Sequence, residues 1–277
     1  MTQWSTSTAL ITGAGRGMGR GLCLAALGAG GDVVAWDIDD DVLDALVADA
    51  AGLPGNLRVM TVDVTDRDAV NEAAVHVGPV DILVNNAGAT GKERLINENP
   101  VVIERVMGVN AIALFWTTQA FLPTMVERNH GHIVTLASAA GMVPLANAVV
   151  YTASKHAAVG FHEALRQELR SEAPGVETTL VTPFYVNTGM FDGANTRFPG
   201  LWPIVDEADA VSAIVSAVAD NRRRLTMPAI ARASYLFRVL PTAVSDFLLD
   251  QLGINNSMSG FRGRSVKSES GVESPSR

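Results

Sequence analysis

The chain has 277 residues, 48% of them hydrophobic, and a formal net charge of −8. That length and apolar share suffice for one large core, so a single α/β domain can fill most of the chain. The acidic balance excludes a general nucleic-acid role.

The predicted elements begin after a polar N-terminus, Met1–Thr8, which has no charged region followed by an apolar one and so does not read as a signal peptide. Short apolar runs predict strands at Thr8–Thr12, Asp32–Trp36, Leu57–Val62, Val80–Asn85, His132–Leu136 and Glu177–Val181. They are continuous in Val, Ile and Leu, as strands buried on both faces are. Helical patterns lie between them at about 17–30, 40–51, 66–77, 100–128 and 150–172, and another follows at 206–220. This alternation predicts an α/β fold: a single Rossmann-like, doubly wound parallel sheet with helices on both faces, spanning residues 1–220.

Beyond it the pattern changes. Residues 222–228 read as a turn and a short strand, and Pro241 splits an apolar and basic stretch into two helices within an extension over 221–254. Residues 255–277 are rich in Ser, Gly, Lys and Arg and are expected to be disordered. Residues 221–277 hold 9 basic and 4 acidic side chains, against 12 and 25 in the rest. Such asymmetry suggests a segment with its own contacts, and peripheral membrane contact is one expectation for it. No uninterrupted run of about 18 apolar residues predicts a membrane-spanning helix. The single cysteine, Cys23, lies in an apolar helical stretch and reads as core. It points to a reducing, cytoplasmic location, with membrane association as the alternative.

The first strand leads through Thr12-Gly-Ala-Gly-Arg-Gly-Met-Gly19 into a helix. Glycines there let a pyrophosphate approach the backbone, and the helix N-terminus offers it N–H groups. Gly13, Gly15, Arg16, Gly17, Met18 and Gly19 are therefore candidate cofactor contacts. Asp37, at the end of the second strand, fits the acid that accepts from an adenosine ribose. A carboxylate there repels a 2′-phosphate and favours NAD, and Ile38 follows where a basic residue would argue otherwise. Arg16 is the dissenting residue, able to meet a 2′-phosphate, so NADP stays as the alternative. Capping the helix that follows is the plainer role for Asp37.

Tyr151 and Lys155 lie four apart on a helical pattern, so they share one face. An adjacent ammonium favours a phenolate, which makes the pair suited to moving a proton on or off an alcohol oxygen.

Over residues 5–220 the chain resembles the short-chain dehydrogenase/reductase family. The glycine loop, Asp63-Val64, Asn86-Ala-Gly88, Asn110, Ser138 and the Tyr151/Lys155 pair match its motifs in order, with Ser138 thirteen positions before Tyr151. The resemblance implies a catalytic set of Asn110, Ser138, Tyr151 and Lys155. In it Tyr151 exchanges the proton, Ser138 holds the substrate oxygen, and Lys155 tunes the tyrosine and reaches the nicotinamide ribose. Asn110 holds a water beside Lys155. It further implies cofactor contacts at Asp63, Val64, Asn86, Ala87, Gly88, Tyr151, Lys155, Pro183, Val186 and Thr188. A substrate lid is implied over residues 189–205, with Ser138, Tyr151, Phe184, Met190 and Phe191 facing the substrate. Phe184 departs from the family, which usually has Gly there.

Phe115-Trp-Thr-Thr, His130-Gly-His-Ile-Val-Thr and Ala157-Ala-Val-Gly-Phe-His162 are similar to the retinol and 17β-hydroxysteroid dehydrogenase branch. That branch implies a lipophilic alcohol of steroid, retinoid or long-chain type. Many of its members carry an N-terminal membrane anchor, a pattern Met1–Thr8 does not show. The family also implies a homodimer or homotetramer. An NADP-dependent carbonyl reductase is the nearest alternative, and a non-catalytic nucleotide sensor is the remaining one. His130, His132, His156 and His162 have no accompanying Cys or carboxylate group, so no metal site is expected.

Overall fold

A computed structural model describes residues 1–261 apart from Lys92, Leu201, Arg238 and Ser259. Leu201 of the expected lid, Arg238 of the basic stretch and residues 262–277 lie outside the described residues.

Seven parallel strands form one sheet in the order β3-β2-β1-β4-β5-β6-β7. They are β1 Thr8–Thr12, β2 Asp32–Asp37, β3 Leu57–Thr61, β4 Ile82–Asn85, β5 Gly131–Leu136, β6 Val176–Pro183 and β7 Arg224–Met227. From β1 the chain first adds strands on one side and then returns to add β4 on the other. The carboxyl ends of β1 and β4 thus flank the point where winding reverses, which is where open α/β sheets bind ligands.

Several helices begin where the sequence supplies side-chain caps. For α2 (Asp40–Asp49), the Asp39 carboxylate accepts from Val42 N. For α3 (Arg67–Val77), Asp66 accepts from Asp68 N and Ala69 N. Pro100 opens α4 (Pro100–Met107) behind Asn99, whose side chain accepts from Val101 N. The first helix, α1 (Gly17–Gly28), has no side-chain cap. Together α1 and α7 (Glu207–Ala219) cover one face, burying Leu22, Cys23 and Ile214 against Ala9, Ile11 and Val33. On the other face Leu10, Trp36 and Leu83 meet α3, α5 (Ala113–Arg128) and α6 (Val149–Glu172). Trp36 and Phe121 lock this second layer, with ring centroids 5.6 Å apart.

Three expectations are corrected. The helix expected over 100–128 is interrupted by a π turn at Gly108–Ile112, which buries Asn110. The sixth strand runs on to Pro183 because Thr182 and Pro183 pair with Thr226 and Met227 of β7. Residues 255–258 are not disordered: Ser257 and Met258 are buried, and Tyr185 bonds Ser257. Small polar residues there signal disorder by composition, but Ile254, Met258 and Phe261 supply enough apolar surface to dock. The apolar run 100–128 also meets the length and hydropathy of a membrane span, although charges interrupt it. Here Val106, Leu114, Phe121 and Met125 pack it into the fold. The remaining described helices are α8 (Ser234–Phe237) and α9 (Thr242–Gln251).

Candidate active site

The glycine loop and the Asn-Ala-Gly element are clamped together at the switch point. Asn86 Nδ2 donates to Thr12 O at 2.8 Å and to Gly13 O at 3.0 Å. Thr12 Oγ1 accepts from Asn86 N and Ala87 N, each at 3.0 Å. Gly13 has φ +62, and a Cβ on it would lie 2.8 Å from Ala87 Cα. A Cβ on Gly19 would collide with Gly13 O. These two glycines are therefore required by backbone packing. Gly17, with φ +52, opens α1, so the uncapped first turn faces the cleft.

Asp37 is not the cap of α2; Asp39 is. The Asp37 carboxylate instead accepts from Gly15 N at 2.9 Å and Ile38 N at 2.8 Å, bracing the glycine loop. Arg16 pairs with Asp39 at 2.6 Å, and both side chains are roughly half exposed. Asp63 accepts from Thr65 N and Thr65 Oγ1.

A cavity of about 600 Å³ runs from Asp37, Ile38, Asp63 and Val64 past Gly13, Gly17, Met18 and Asn86–Gly88 to Ser138, Tyr151 and Lys155. Pro183, Phe184, Val186, Thr188, Met190 and Phe191 close its far end. Gly15, Gly19 and Asn110 sit behind this surface and support it. Sequence reasoning missed Trp36, Thr65, Thr90, Arg105 and Val109, which also line it. Trp36, Thr65 and Val109 adjoin Asp37, Val64 and Asn110, but nothing in the pattern marked Thr90 or Arg105.

Ser138 follows β5, where Ala140 N donates to its Oγ at 3.1 Å. Tyr151 and Lys155 both stand on the first turns of α6 and are 5% exposed. Burial pushes the Tyr151 phenol well above its ordinary range; a hydrogen bond with Ser138 pulls the other way, and the nearby Tyr185 adds to the rise. Burial lowers Lys155 to about 8. The expected lowering of the tyrosine by the ammonium does not dominate here. Lys155 Nζ lies 5.8 Å from the Tyr151 ring centroid and donates instead to Leu136 O at 2.9 Å. Desolvation of the phenolate outweighs the cation at that separation.

Asn110 is held by three bonds. Its Oδ1 accepts from Ala89 N at 2.8 Å, and Nδ2 donates to Ala89 O at 2.8 Å and Ser154 Oγ at 2.9 Å. Ser154 Oγ in turn donates to Tyr151 O at 2.8 Å. Ser154, hidden in the sequence beside Lys155, thus ties the π turn to α6.

The end of the cleft beside Tyr151 is aromatic. Phe191 meets the Tyr151 ring edge-on at 5.3 Å, and Phe184 meets Trp202 at 5.5 Å. Tyr185, Leu249, Ile254 and Met258 belong to the same apolar cluster as Tyr151 and were missed in the sequence. Chain distance hid the last three.

Burial lowers His132 to about 4 and His162 to about 3, so both are neutral core residues. His132 bridges Thr2 and Thr179. Among the described residues no group of three or more His, Cys, Asp or Glu is placed to hold a metal. Cys23 is fully buried, which pushes its thiol well up and leaves it a packing residue.

Comparison with known proteins agrees with this geometry. Residues 7–197 match the short chain dehydrogenase family model. The chain is 36% identical over 266 residues to mouse epidermal retinol dehydrogenase 2, covering 93% of this chain and 86% of that one. It is 38% identical over 238 residues to human estradiol 17-beta-dehydrogenase 11, covering 84% and 78%. A short chain dehydrogenase/reductase from Burkholderia phymatum in complex with NAD superposes with a TM-score of 0.77 at 27% identity, covering 90% of this chain and 97% of that one. A short chain dehydrogenase from Burkholderia cenocepacia in complex with NADP gives 0.76 at 25% identity, covering 91% and 99%. The fold, the ordered motifs and these likenesses agree: the chain belongs to the short-chain dehydrogenase/reductase family and is an oxidoreductase of it.

Proposed function

We propose that this protein interconverts a lipophilic alcohol, of steroid, retinoid or long-chain type, and its ketone or aldehyde, using NAD and Tyr151 as the acid and base. One observation carries the reading. A single cleft joins the Asp37 and glycine-loop end to Tyr151 and Ser138, and its far wall is Phe184, Met190 and Phe191. The residues present suit a dinucleotide: an uncapped helix start, a loop whose glycines a side chain would obstruct, and an acid at the end of β2. When bound, the nicotinamide supplies the hydride acceptor or donor.

The chain's own residues do the rest. Tyr151 holds its proton at neutral pH and is ready to give it to a carbonyl oxygen. In the reverse direction the Lys155 ammonium favours the phenolate that takes a proton from the alcohol. Ser138 Oγ, in the same cleft as the phenol, holds the substrate oxygen and the charge that develops on it. The aromatic wall excludes water and receives an apolar substrate.

The Asp37 carboxylate supports NAD over NADP, and the Arg16–Asp39 ion pair occupies the one basic side chain that argued for a 2′-phosphate. An NADP-dependent carbonyl reductase is the second reading, because that ion pair is exposed and Arg16 lines the cleft. Initial rates with NAD and NADP across steroids, retinoids and long-chain alcohols test both. Turnover confined to small polar alcohols would refute the substrate class, and NADP preferred over NAD would select the second reading.

Peripheral contact with a lipid surface is a further part of the proposal. Leu236, Val239, Val244 and Phe247 are exposed on the C-terminal extension, near Arg232. Leu236→Glu and Phe247→Glu should reduce flotation with anionic liposomes; a native chain that does not float would refute it.

A further inference from the structure

The end of the described chain is built into the wall of the catalytic cleft. Ser257 is 3% exposed. Its carbonyl accepts from Asn195 N at 2.9 Å. Its hydroxyl donates to Ile254 O at 2.7 Å. With that proton committed, Ser257 Oγ accepts from the Tyr185 hydroxyl at 2.9 Å. One buried serine thus joins three segments: the loop after β6, the loop carrying Phe191, and residues 253–258.

The aromatic contacts follow the same route. The Phe191 ring, edge-on to Tyr151, also lies 5.5 Å from the Tyr185 ring and 5.9 Å from Phe261. Tyr185 and Phe261 therefore support Phe191 against the catalytic phenol; Tyr185 is bonded to Ser257, and Phe261 N donates to the carbonyl of Met258, the residue after Ser257. A second tie crosses the same seam, where Arg197 Nη1 donates to Gln251 O at 3.1 Å.

We infer that Tyr185 and Ser257 are positioning residues, forming a latch that fastens residues 190–199 and 253–258 into one wall over Tyr151. The inference rests on the reading that Tyr151 meets an apolar alcohol in this cleft. A proton and hydride exchange needs a dry site, yet a large apolar substrate needs this wall to open. One buried hydrogen bond between neutral hydroxyls is suited to both demands, because its net worth shifts an opening equilibrium by only about two- to ten-fold. The latch therefore seals the site without locking it.

Hydrogen–deuterium exchange on the full chain tests the latch without a substrate. Tyr185→Phe keeps the ring contacts and removes one hydroxyl, Ser257→Ala removes the other, and Ser257→Thr retains it. Each of the first two should speed exchange over residues 190–199 by about two- to ten-fold. The double variant should go no further than the singles, and Ser257→Thr should restore protection. Exchange in β1 and β4 and affinity for NADH should stay native. With an apolar alcohol, KM should change while kcat moves little. Native protection over 190–199 in either single variant overturns the latch, as does faster exchange spread evenly through the sheet. A chain that oxidises no alcohol but shows the localised change keeps the latch and loses the substrate reading. An active chain with native exchange does the reverse.

Discussion

Replacing Asp37 by alanine should move cofactor preference toward NADP by roughly two orders of magnitude. The carboxylate sits at the end of β2 and is fixed by Gly15 N at 2.9 Å and Ile38 N at 2.8 Å. Two like unit charges about 5 Å apart repel by roughly 2–3 kcal/mol at an effective dielectric of 20–40, and a 2′-phosphate on the adenosine ribose would meet that repulsion from the Asp37 carboxylate. Losing that repulsion helps NADP, and losing an acceptor for the ribose hydroxyls hurts NAD. A combined swing of about 3 kcal/mol corresponds to roughly 150-fold in the ratio of kcat/KM values. Asp39→Ala releases Arg16, but the exposed pair it breaks is worth about 0–1 kcal/mol. Alone it should change the ratio only a few-fold, and it should add to Asp37→Ala. The assay is initial velocity with NAD and NADP at several cofactor concentrations and one fixed alcohol. A ratio unchanged within about two-fold in Asp37→Ala would remove this residue as the selector.

Two further outcomes follow from packing and burial. Gly19→Ala places a methyl group against Gly13 O and Asn86 Nδ2; it should cost roughly 1–3 kcal/mol of stability and weaken NADH binding, and a native melting temperature with native NADH fluorescence titration would refute the clamp. His132 and His162 have folded values lowered to about 4 and about 3, so below the unfolded value near 6.5 the unfolded chain binds protons that the folded chain refuses. Stability should fall as pH drops from about 6.5 toward 4, by up to roughly 2.7 kcal/mol per pH unit for the two together. Urea midpoints at stepped pH measure it, and a midpoint flat across that range would contradict neutral burial.

The fold and the cleft floor were legible because they are local in the chain. Val- and Ile-rich runs mark buried parallel strands, and Gly13–Gly19 stands directly between β1 and α1. Tyr151 and Lys155 share one helix, so their spacing alone places them together. The cleft roof was less legible, since it is assembled from distant segments. Tyr185 meets Ser257 across 72 positions, and no periodicity reports such a contact. The π turn at Gly108–Ile112 was hidden for another reason. A single inserted residue leaves the apolar pattern of a long helix almost intact, while it buries Asn110 against Ala89 and Ser154. The tyrosine's electrostatics also escaped the sequence, because helix spacing gives the distance to Lys155 but not the burial of the phenol.

The central claim is that Tyr151 moves the proton while an apolar alcohol occupies the wall formed by Phe184, Met190 and Phe191. Tyr151→Phe keeps the ring against Phe191 and deletes only the hydroxyl. With NAD and the best alcohol from a panel of steroids, retinoids and long-chain alcohols, kcat should fall by about 10²–10⁴-fold, while NADH affinity and melting temperature stay native. A Tyr151→Phe protein that turns over that alcohol at the native rate would contradict the account.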